Sequence, residues 1–334
     1  MFFLSKKPRV AINGLGRIGR TVLKIGLERG VNFVAINNKS DIASIVYLLK
    51  YDSIYGSYNK NIETGKDFIK IDGRKIKVYS EEDPEKIPWF ESKVDIVVES
   101  TGGFRDKIGS RKHLLAGAKK VIISAPGENP DCTIVVGVNE NKLKKEDKII
   151  SVASCTTNCL APVVKVLNDK FGVKKGFMTT VHAYTTSQNL LDGSSRKLRR
   201  GRAAATNIVP TTSGATESVG EVIPELKGKL DGLAFRVPVA CGSIIDLVAD
   251  LKRKTNVKEV NNLFKKVSNG KLKGIMRYTE DEIVSSDIVG DSHSAIVDGL
   301  STQVLGNMVK VLAWYDNEYG YSNRLVDVIK LLKV

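Results

Sequence analysis

Cysteine is scarce in this chain. Four cysteines in 334 residues are too few for the disulfide framework of a small secreted domain. The closest pair, Cys155 and Cys159, has no second ligand pair to complete a zinc site, so no metal is expected. No apolar run reaches the length needed to cross a bilayer. The start, Met1-Phe2-Phe3-Leu4-Ser5-Lys6-Lys7-Pro8, is too short to hold a secretory hydrophobic region. A reducing cytoplasm and no membrane are therefore expected. Acidic residues are outnumbered, 37 Asp and Glu against 52 Lys and Arg, for a net charge of +15. That balance suits anionic substrates and cofactors and also attracts nucleic acid nonspecifically. The compact basic cluster Arg196-Lys197-Leu198-Arg199-Arg200-Gly201-Arg202 lacks interleaved aromatics, and no nucleic-acid motif surrounds it, so no specific nucleic-acid partner is expected. Alone it reads as a solvated loop or as a phosphate site. Internal repeats, low-complexity tracts and clean linkers are also missing. What remains is an ordinary composition, 42% hydrophobic and 27% charged, long enough for two domains.

The first of these opens on Arg9-Val10-Ala11-Ile12-Asn13, a short buried-strand pattern. Gly14-Leu15-Gly16-Arg17-Ile18-Gly19-Arg20 follows and opens a helix to about Glu28, and Val31–Asn37 is the next strand. A lone G-x-G-x-x-G is weak evidence, but strand, glycine turn, helix and strand in one short unit is the setting of a dinucleotide-binding fingerprint. Gly14 permits the tight turn, Gly16 admits the pyrophosphate, and Gly19 lets helix and strand pack. The phosphates would rest on the helix N-terminus. Further strands read at Val94–Ser100, ending at Thr101-Gly102-Gly103, and at Lys119–Ser124, with a helix between them reaching Gly117. Ligands of parallel sheets bind at such strand ends. Lys148–Val152 then leads to Cys155. Beyond it, β-rich runs at Gly176–Tyr184, Gly232–Pro238, Ser243–Leu251 and Met308–Tyr315 surround a polar segment, Thr185–Asn207, and a helix near Val257–Val267. This reads as an α+β domain on a mostly antiparallel sheet. Tyr319–Leu332 has helical periodicity.

Ser154-Cys155-Thr156-Thr157-Asn158-Cys159 carries the chemistry, with His182 downstream in Thr179-Thr180-Val181-His182-Ala183-Tyr184. Cys155 would sit in the first turn of a helix, where unsatisfied N–H groups and the dipole favour a thiolate. An imidazole beside it would stabilise the thiolate and pass a proton. Taken alone, such a pair is more often an inert buried cysteine and an unrelated histidine. The hydroxyl-rich surroundings and the dinucleotide fingerprint favour the nucleophile. Cys159, one turn further along, reads as structural.

These residues name a family. Ala11–Arg20, Ala153–Pro162, Leu198-Arg199-Arg200, Ala234-Phe235-Arg236-Val237-Pro238 and Trp314-Tyr315-Asp316-Asn317-Glu318-Tyr319-Gly320 together resemble phosphorylating glyceraldehyde-3-phosphate dehydrogenase, in family order from end to end. The resemblance implies an α/β Rossmann domain over 1–154, completed by a C-terminal helix at 319–334, and an α+β catalytic domain over 155–318. It implies oxidation of glyceraldehyde 3-phosphate, with Cys155 as nucleophile, His182 as its base and inorganic phosphate as second substrate. Thr185 and Arg236 match the substrate-phosphate site. Ser154, Thr156, Ser213, Gly214 and Arg200 match the site of the attacking phosphate. Arg17, Ile18, Ser100, Thr101, Gly102 and Ser124 would line the cofactor, and Asn317 would hold the nicotinamide carboxamide. Tyr321 reads equally as a neighbour of the cofactor or as core. A homotetramer is implied, with the Thr185–Asn207 segment near a neighbouring cofactor site.

Several positions depart from the pattern. Asn38 stands where NAD-specific members have an Asp that holds the ribose hydroxyls, and Lys39 and Ser40 follow it. Gly193-Ser194 replaces a common Leu-Pro, Ser187 a common Asp, and Thr216-Glu217 a common Ala-Lys; Leu15 and Ser213 replace the usual Phe and Thr. With Asn38, Lys39 and Ser194 together, NADP is expected beside NAD. The rivals are an erythrose-4-phosphate dehydrogenase and, from another class, a non-enzymatic nucleic-acid-binding protein. An intact Cys155/His182 pair argues against the second.

Overall fold

The computed structural model describes residues 7–333. They form two compact units. The first takes the described residues of Met1–Ile134 and Ser322–Val334 together with Asn141–Ala153; the second takes Val135–Glu140 and Ser154–Tyr321. The division thus falls at Ala153/Ser154, one residue before the expected one. The short excursion Val135–Glu140 was not expected. Val135 and Val136 are buried, and the Cβ position of Gly137 meets the side chains of Leu272 and Ile275, so apolar contact ties the excursion to the second unit.

The first unit holds a nine-stranded sheet. In chain order come β1 (Arg9–Asn13), α1 (Arg17–Glu28), β2 (Asn32–Asn37), α2 (Ile42–Lys50), the small ribbon β3 (Tyr51–Asp52) and β4 (Gly56–Ser57), β5 (Ile62–Thr64), β6 (Phe68–Ile71), β7 (Arg74–Tyr79), β8 (Ile96–Glu99), α3 (Lys107–Leu115), β9 (Lys120–Ile123), β10 (Cys132–Thr133) and β11 (Ile149–Ser151). The spatial order is β10-β11-β9-β8-β1-β2-β7-β6-β5, parallel from β10 to β7 and antiparallel beyond. The central strands are buried on both faces, as parallel strands covered by helices must be: Val10, Ala11, Ile12, Ile96, Val97 and Val98 are all fully enclosed. β1 lies between β2 and β8, so the order reverses there. Such a switch point opens a crevice at the carboxyl ends of the strands, and it brings together the turns that follow β1 and β8.

The second unit is built on a seven-stranded sheet ordered β13-β14-β12-β15-β18-β17-β16. Its strands are β12 (Val173–Ala183), β13 (Val209–Thr212), β14 (Leu230–Val237), β15 (Ser243–Leu251), β16 (Met276–Thr279), β17 (Ala295–Leu305) and β18 (Met308–Tyr315). Two pairings, β12 with β14 and β16 with β17, are parallel; the other four are antiparallel. Burial alternates along β15 from Ser243 to Leu251 and along β18 from Val309 to Tyr315. The period of two turns one face inward. On that face lies α4 (Cys155–Phe171), whose Leu160, Val163, Val164 and Leu167 are fully enclosed. α5 (Ala215–Val222) and α6 (Val257–Asn269) complete this unit's helices, and α7 (Tyr319–Leu331) runs into the first unit. None of the described helices is long and apolar enough to cross a membrane.

Candidate active site

Cys155 is the first residue of α4. Ser154 is the extended N-cap, and its Oγ accepts the Thr157 N–H at 3.0 Å. The cap satisfies one orphan donor and leaves the dipole's positive end at the sulfur. β12 supplies His182 from its buried face, with Nε2 3.4 Å from Cys155 Sγ. The parallel register of β12 and β14 sets His182 opposite Arg236. Arg236 Nη1 donates to the Ala183 carbonyl at 2.8 Å, and His182 Nδ1 lies 2.7 Å from the same oxygen. With its proton on Nδ1, the ring donates to Ala183 and turns the Nε2 lone pair toward the thiol. Arg236 Nη1 also lies 2.8 Å from Nδ1. Burial and, next, this guanidinium push the His182 pKa down to about 3. The imidazole is therefore neutral and able to accept a proton.

Sequence reasoning expected a pKa-lowered thiol. Burial instead pushes the Cys155 thiol up; Arg236, the Thr156 hydroxyl and the first-turn amides pull against it without prevailing. Thiol and neutral imidazole thus face each other across one shared proton.

Thr185 and Arg236 come together, Nη1 to Oγ1 at 3.5 Å. Arg236 Nε is buried and has no partner. An unpaired cationic donor in an enclosed site is a place for an anion. Arg200 donates through Nε to Thr211 Oγ1 at 2.9 Å and reaches Ser187 Oγ at 3.5 Å. It is near enough to oppose charge on both His182 and Arg236. Gly214 caps α5 without a side-chain bond, and Ser213 Oγ accepts the Ala215 N–H at 3.3 Å. Two expected anion ligands are otherwise engaged. The Ser154 hydroxyl serves the helix cap. The Thr156 hydroxyl meets Tyr315 Oη at 2.9 Å, which meets Thr180 Oγ1 at 2.9 Å, which donates to the Ile244 carbonyl at 3.1 Å. Since Thr180 spends its proton on Ile244, Tyr315 must donate to Thr180; the Thr156 hydroxyl sits between Tyr315 Oη and Cys155 Sγ, which is 4.0 Å away. Sequence reasoning missed Thr180 and Tyr315. The available signal was Thr180, two residues before His182 and so on the same strand face. Cys159 points its thiol at the Ala313 carbonyl, 3.7 Å away and fully buried.

In the first unit, the turn after β1 has the shape a dinucleotide needs. Gly14 has φ +90°, and a Cβ there would lie 2.8 Å from Thr101 N. A Cβ on Gly19 would lie 2.1 Å from the Gly14 carbonyl oxygen, whereas one on Gly16 would meet nothing within 4 Å. Two glycines are thus demanded by packing, and the space beside the third is open. Gly16 caps α1 with no side-chain bond, so the helix N-terminus at Arg17 and Ile18 carries no built-in anion. The Arg17 side chain itself pairs with Asp52 at 2.8 Å. Ser100 Oγ donates to the Gly14 carbonyl at 2.6 Å and so fastens the end of β8 to this turn. Thr101 and Gly102 follow, and Ser124, just past β9, places its N–H on the Glu99 carbonyl at 3.0 Å. Beneath them, buried Glu99 accepts from Asn13 Nδ2 at 2.6 Å and from the Thr101 N–H at 2.7 Å. Sequence reasoning did not single out Glu99. These residues fit a dinucleotide's diphosphate.

At the specificity position, Asn38 Oδ1 accepts the Leu15 N–H at 2.9 Å. Lys39 pairs with Glu82 at 2.7 Å, both well exposed. Ser194 lies in the second unit, its carbonyl 3.4 Å from Asn189 Nδ2. Asn317, also in that unit, is buried, and its Oδ1 accepts from Ser243 Oγ at 3.0 Å and Gly242 N at 3.2 Å. Tyr321 is 5% exposed and belongs to the core.

Comparison with known proteins agrees with this geometry. Residues 8–107 match the domain described as glyceraldehyde 3-phosphate dehydrogenase, NAD binding domain, and residues 154–317 match its C-terminal domain. The chain is 53% identical over 332 residues to a glyceraldehyde-3-phosphate dehydrogenase of Borreliella burgdorferi, covering 97% of this chain and 99% of that one. It is 54% identical over 325 residues to that of Streptomyces coelicolor, covering 96% and 97%, and 53% identical over 332 residues to that of Mycobacterium leprae, covering 97% and 98%. With both domains matched and such identity along almost its whole length, the chain belongs to the glyceraldehyde-3-phosphate dehydrogenase family.

Proposed function

We propose that this protein oxidises glyceraldehyde 3-phosphate and phosphorylates the product to 1,3-bisphosphoglycerate, as a glycolytic dehydrogenase. The contact of Cys155 Sγ with His182 Nε2 at 3.4 Å, beside Arg236, carries the reading. His182 takes the thiol proton as sulfur adds to the aldehyde carbon, giving a thiohemiacetal. The alkoxide forms at the start of α4, where the Cys155 N–H can donate to it. The first unit's glycine turn, Gly14–Gly19, would hold the nicotinamide cofactor, which would supply the hydride acceptor needed to turn the thiohemiacetal on Cys155 into a thioester. The Arg236 Nε and Thr185 hydroxyl hold the substrate phosphate. Arg200, Ser213, Gly214, the N-cap amide of Ser154 and the first-turn amide of Thr156 receive inorganic phosphate, which attacks the thioester and releases an acyl phosphate. The thioester conserves oxidation energy that hydrolysis to a free acid would dissipate. Reduction of cofactor with glyceraldehyde 3-phosphate or erythrose 4-phosphate, with and without phosphate, tests this. The first aldehyde should be favoured and acyl phosphate formed. A phosphate-independent rate yielding only free acid would overturn the reading.

Use of NADP beside NAD is the finer part of the proposal. The Leu15 N–H has to meet an acceptor, so Asn38 is oriented with Oδ1 inward, leaving its amide NH2 as the outward group. A donor suits the 2′-phosphate of NADP, which offers only acceptors, whereas a carboxylate would repel it. Lys39 adds a positive charge once it leaves Glu82, an exposed partner that holds it weakly. Ser194 adds a donor from a neighbouring subunit. Comparing the catalytic efficiency of both cofactors in the wild type and in Asn38→Asp tests this. The wild type should use both, and Asn38→Asp should move it toward NAD. A wild-type preference for NAD of a thousandfold, about 4 kcal/mol, would sink it. A cytoplasmic homotetramer completes the proposal.

A further inference from the structure

β15 begins on a serine enclosed by protein, with 1% of Ser243 exposed. Its hydroxyl has a fixed polarity. Ser243 Oγ accepts the Ala183 N–H at 3.1 Å. That leaves its proton for Asn317 Oδ1, 3.0 Å away. The Gly242 N–H donates to the same oxygen at 3.2 Å. The backbone here has little freedom: Gly242 has φ +93°, and a Cβ on it would lie 2.4 Å from the Ser285 carbonyl oxygen. The opposite side is fastened as well, since Asp316 Oδ1 accepts the Cys241 thiol at 3.2 Å and the N–H groups of Glu318 and Tyr319 at 2.9 and 2.8 Å. Ala183 is the residue whose carbonyl holds His182 Nδ1. One hydroxyl therefore joins the residue whose carbonyl steadies the imidazole to the side chain of Asn317.

We propose that Ser243 is a positioning residue that fixes which way the Asn317 amide faces. Two donors on Oδ1 make the inverted amide unfavourable, because its NH2 would then face the Gly242 N–H. Asn317 consequently offers Nδ2, a donor, to the carboxamide of the nicotinamide cofactor and selects its carbonyl oxygen. This rests on the proposed contact of Asn317 with that carboxamide. Without the Ser243 hydroxyl, Oδ1 keeps a single donor and the amide can turn over, offering an acceptor to the carboxamide NH2 instead.

Calorimetric binding without aldehyde tests the idea, using NAD and its acetylpyridine analogue, which keeps the carbonyl but carries methyl in place of NH2. In the wild type the analogue should bind within about threefold of NAD, because the selected oxygen is present in both. In Ser243→Ala the analogue should lose about tenfold relative to NAD, the value of one hydrogen bond. Ser243→Thr, which keeps the hydroxyl, should restore the wild-type ratio. If Ser243→Ala does not fold, Ser243→Cys, a weaker donor of similar size, should shift the ratio in the same direction. Equal weakening of both ligands, or an unchanged ratio, overturns the role of Ser243. Asn317→Ala separates the two claims. If it leaves both affinities unchanged, the contact of Asn317 with the carboxamide is wrong; if it weakens both while Ser243→Ala keeps the wild-type ratio, only the role of Ser243 is wrong.

Discussion

At the residue scale, Arg236 favours charge on sulfur and opposes it on the imidazole. The two effects act on one proton, across the 3.4 Å contact of Cys155 Sγ with His182 Nε2. His182→Asn removes the acceptor and leaves the upward push of burial on the thiol. At pH 7, iodoacetamide labelling of Cys155 should then fall at least tenfold and recover only as pH rises beyond the ordinary thiol range, since a raised thiol pKa puts the thiolate at higher pH. An unchanged labelling profile would deny the pairing. Turnover in His182→Asn should drop by roughly two to four orders of magnitude, and Cys155→Ser should nearly abolish it while leaving the fold intact. The other cysteines provide an internal control. Burial and a hydrogen bond donated to the Asp147 carboxylate push the Cys132 thiol up to about 12, and Cys159 is enclosed. Peptide mapping after brief alkylation should find the label on Cys155; first labelling of Cys132 or Cys159 would contradict the site.

At the element scale, α1 closes onto the turn before it. Gly19→Ala drives a methyl into the Gly14 carbonyl, so the helix must back away. A loss of about 1–3 kcal/mol in stability is expected from such overpacking, with weaker dinucleotide binding. Chemical denaturation and cofactor titration measure the two; wild-type values in both would mean that the turn yields freely. This element was legible in the sequence because its glycines, flanking strands and helix obey local rules. So were α4, capped by Ser154, and β15, with strict alternation. β17 was not read as a strand. Asp298, Gly299, Ser301 and Gln303 break its apolar pattern, and the register shift between Asp298 and Gln303 absorbs them. The hairpins β5–β7 were missed because their charged residues face solvent and leave few apolar positions. In the site, motif-borne residues were legible one by one. What no local pattern carries is a partner from elsewhere in the chain: Arg236 opposite His182 by sheet register, Tyr315 of β18 beneath Thr156 of α4, Ser243 against Asn317 beyond the end of β18. The hydroxyls of Ser154 and Thr156 show the effect by turning to a helix cap and a tyrosine.

At the scale of the whole molecule, the segment expected to be polar carries Leu190, Leu191 and Leu198, all more than two-thirds exposed. Apolar side chains on a loop call for cover, and a neighbouring subunit is the proposed cover. Light scattering should give four times 36.6 kDa, and Leu190→Glu with Leu191→Glu should lower it; a monomer in the wild type would refute the assembly. The net charge of +15 should draw in phosphorylated substrate, so kcat/KM should fall as salt rises. The first unit, finally, is discontinuous. Leu325, Val326, Val328 and Ile329 of α7 are buried, yet they are translated after the entire second unit. The nascent first unit thus waits on the ribosome without these apolar side chains until Ser322 and its successors emerge. Chains arrested just after Ala153 should engage chaperones and remain protease-sensitive, and supplying α7 as a peptide in trans should protect them. Protection without the peptide would mean that the early segment matures alone.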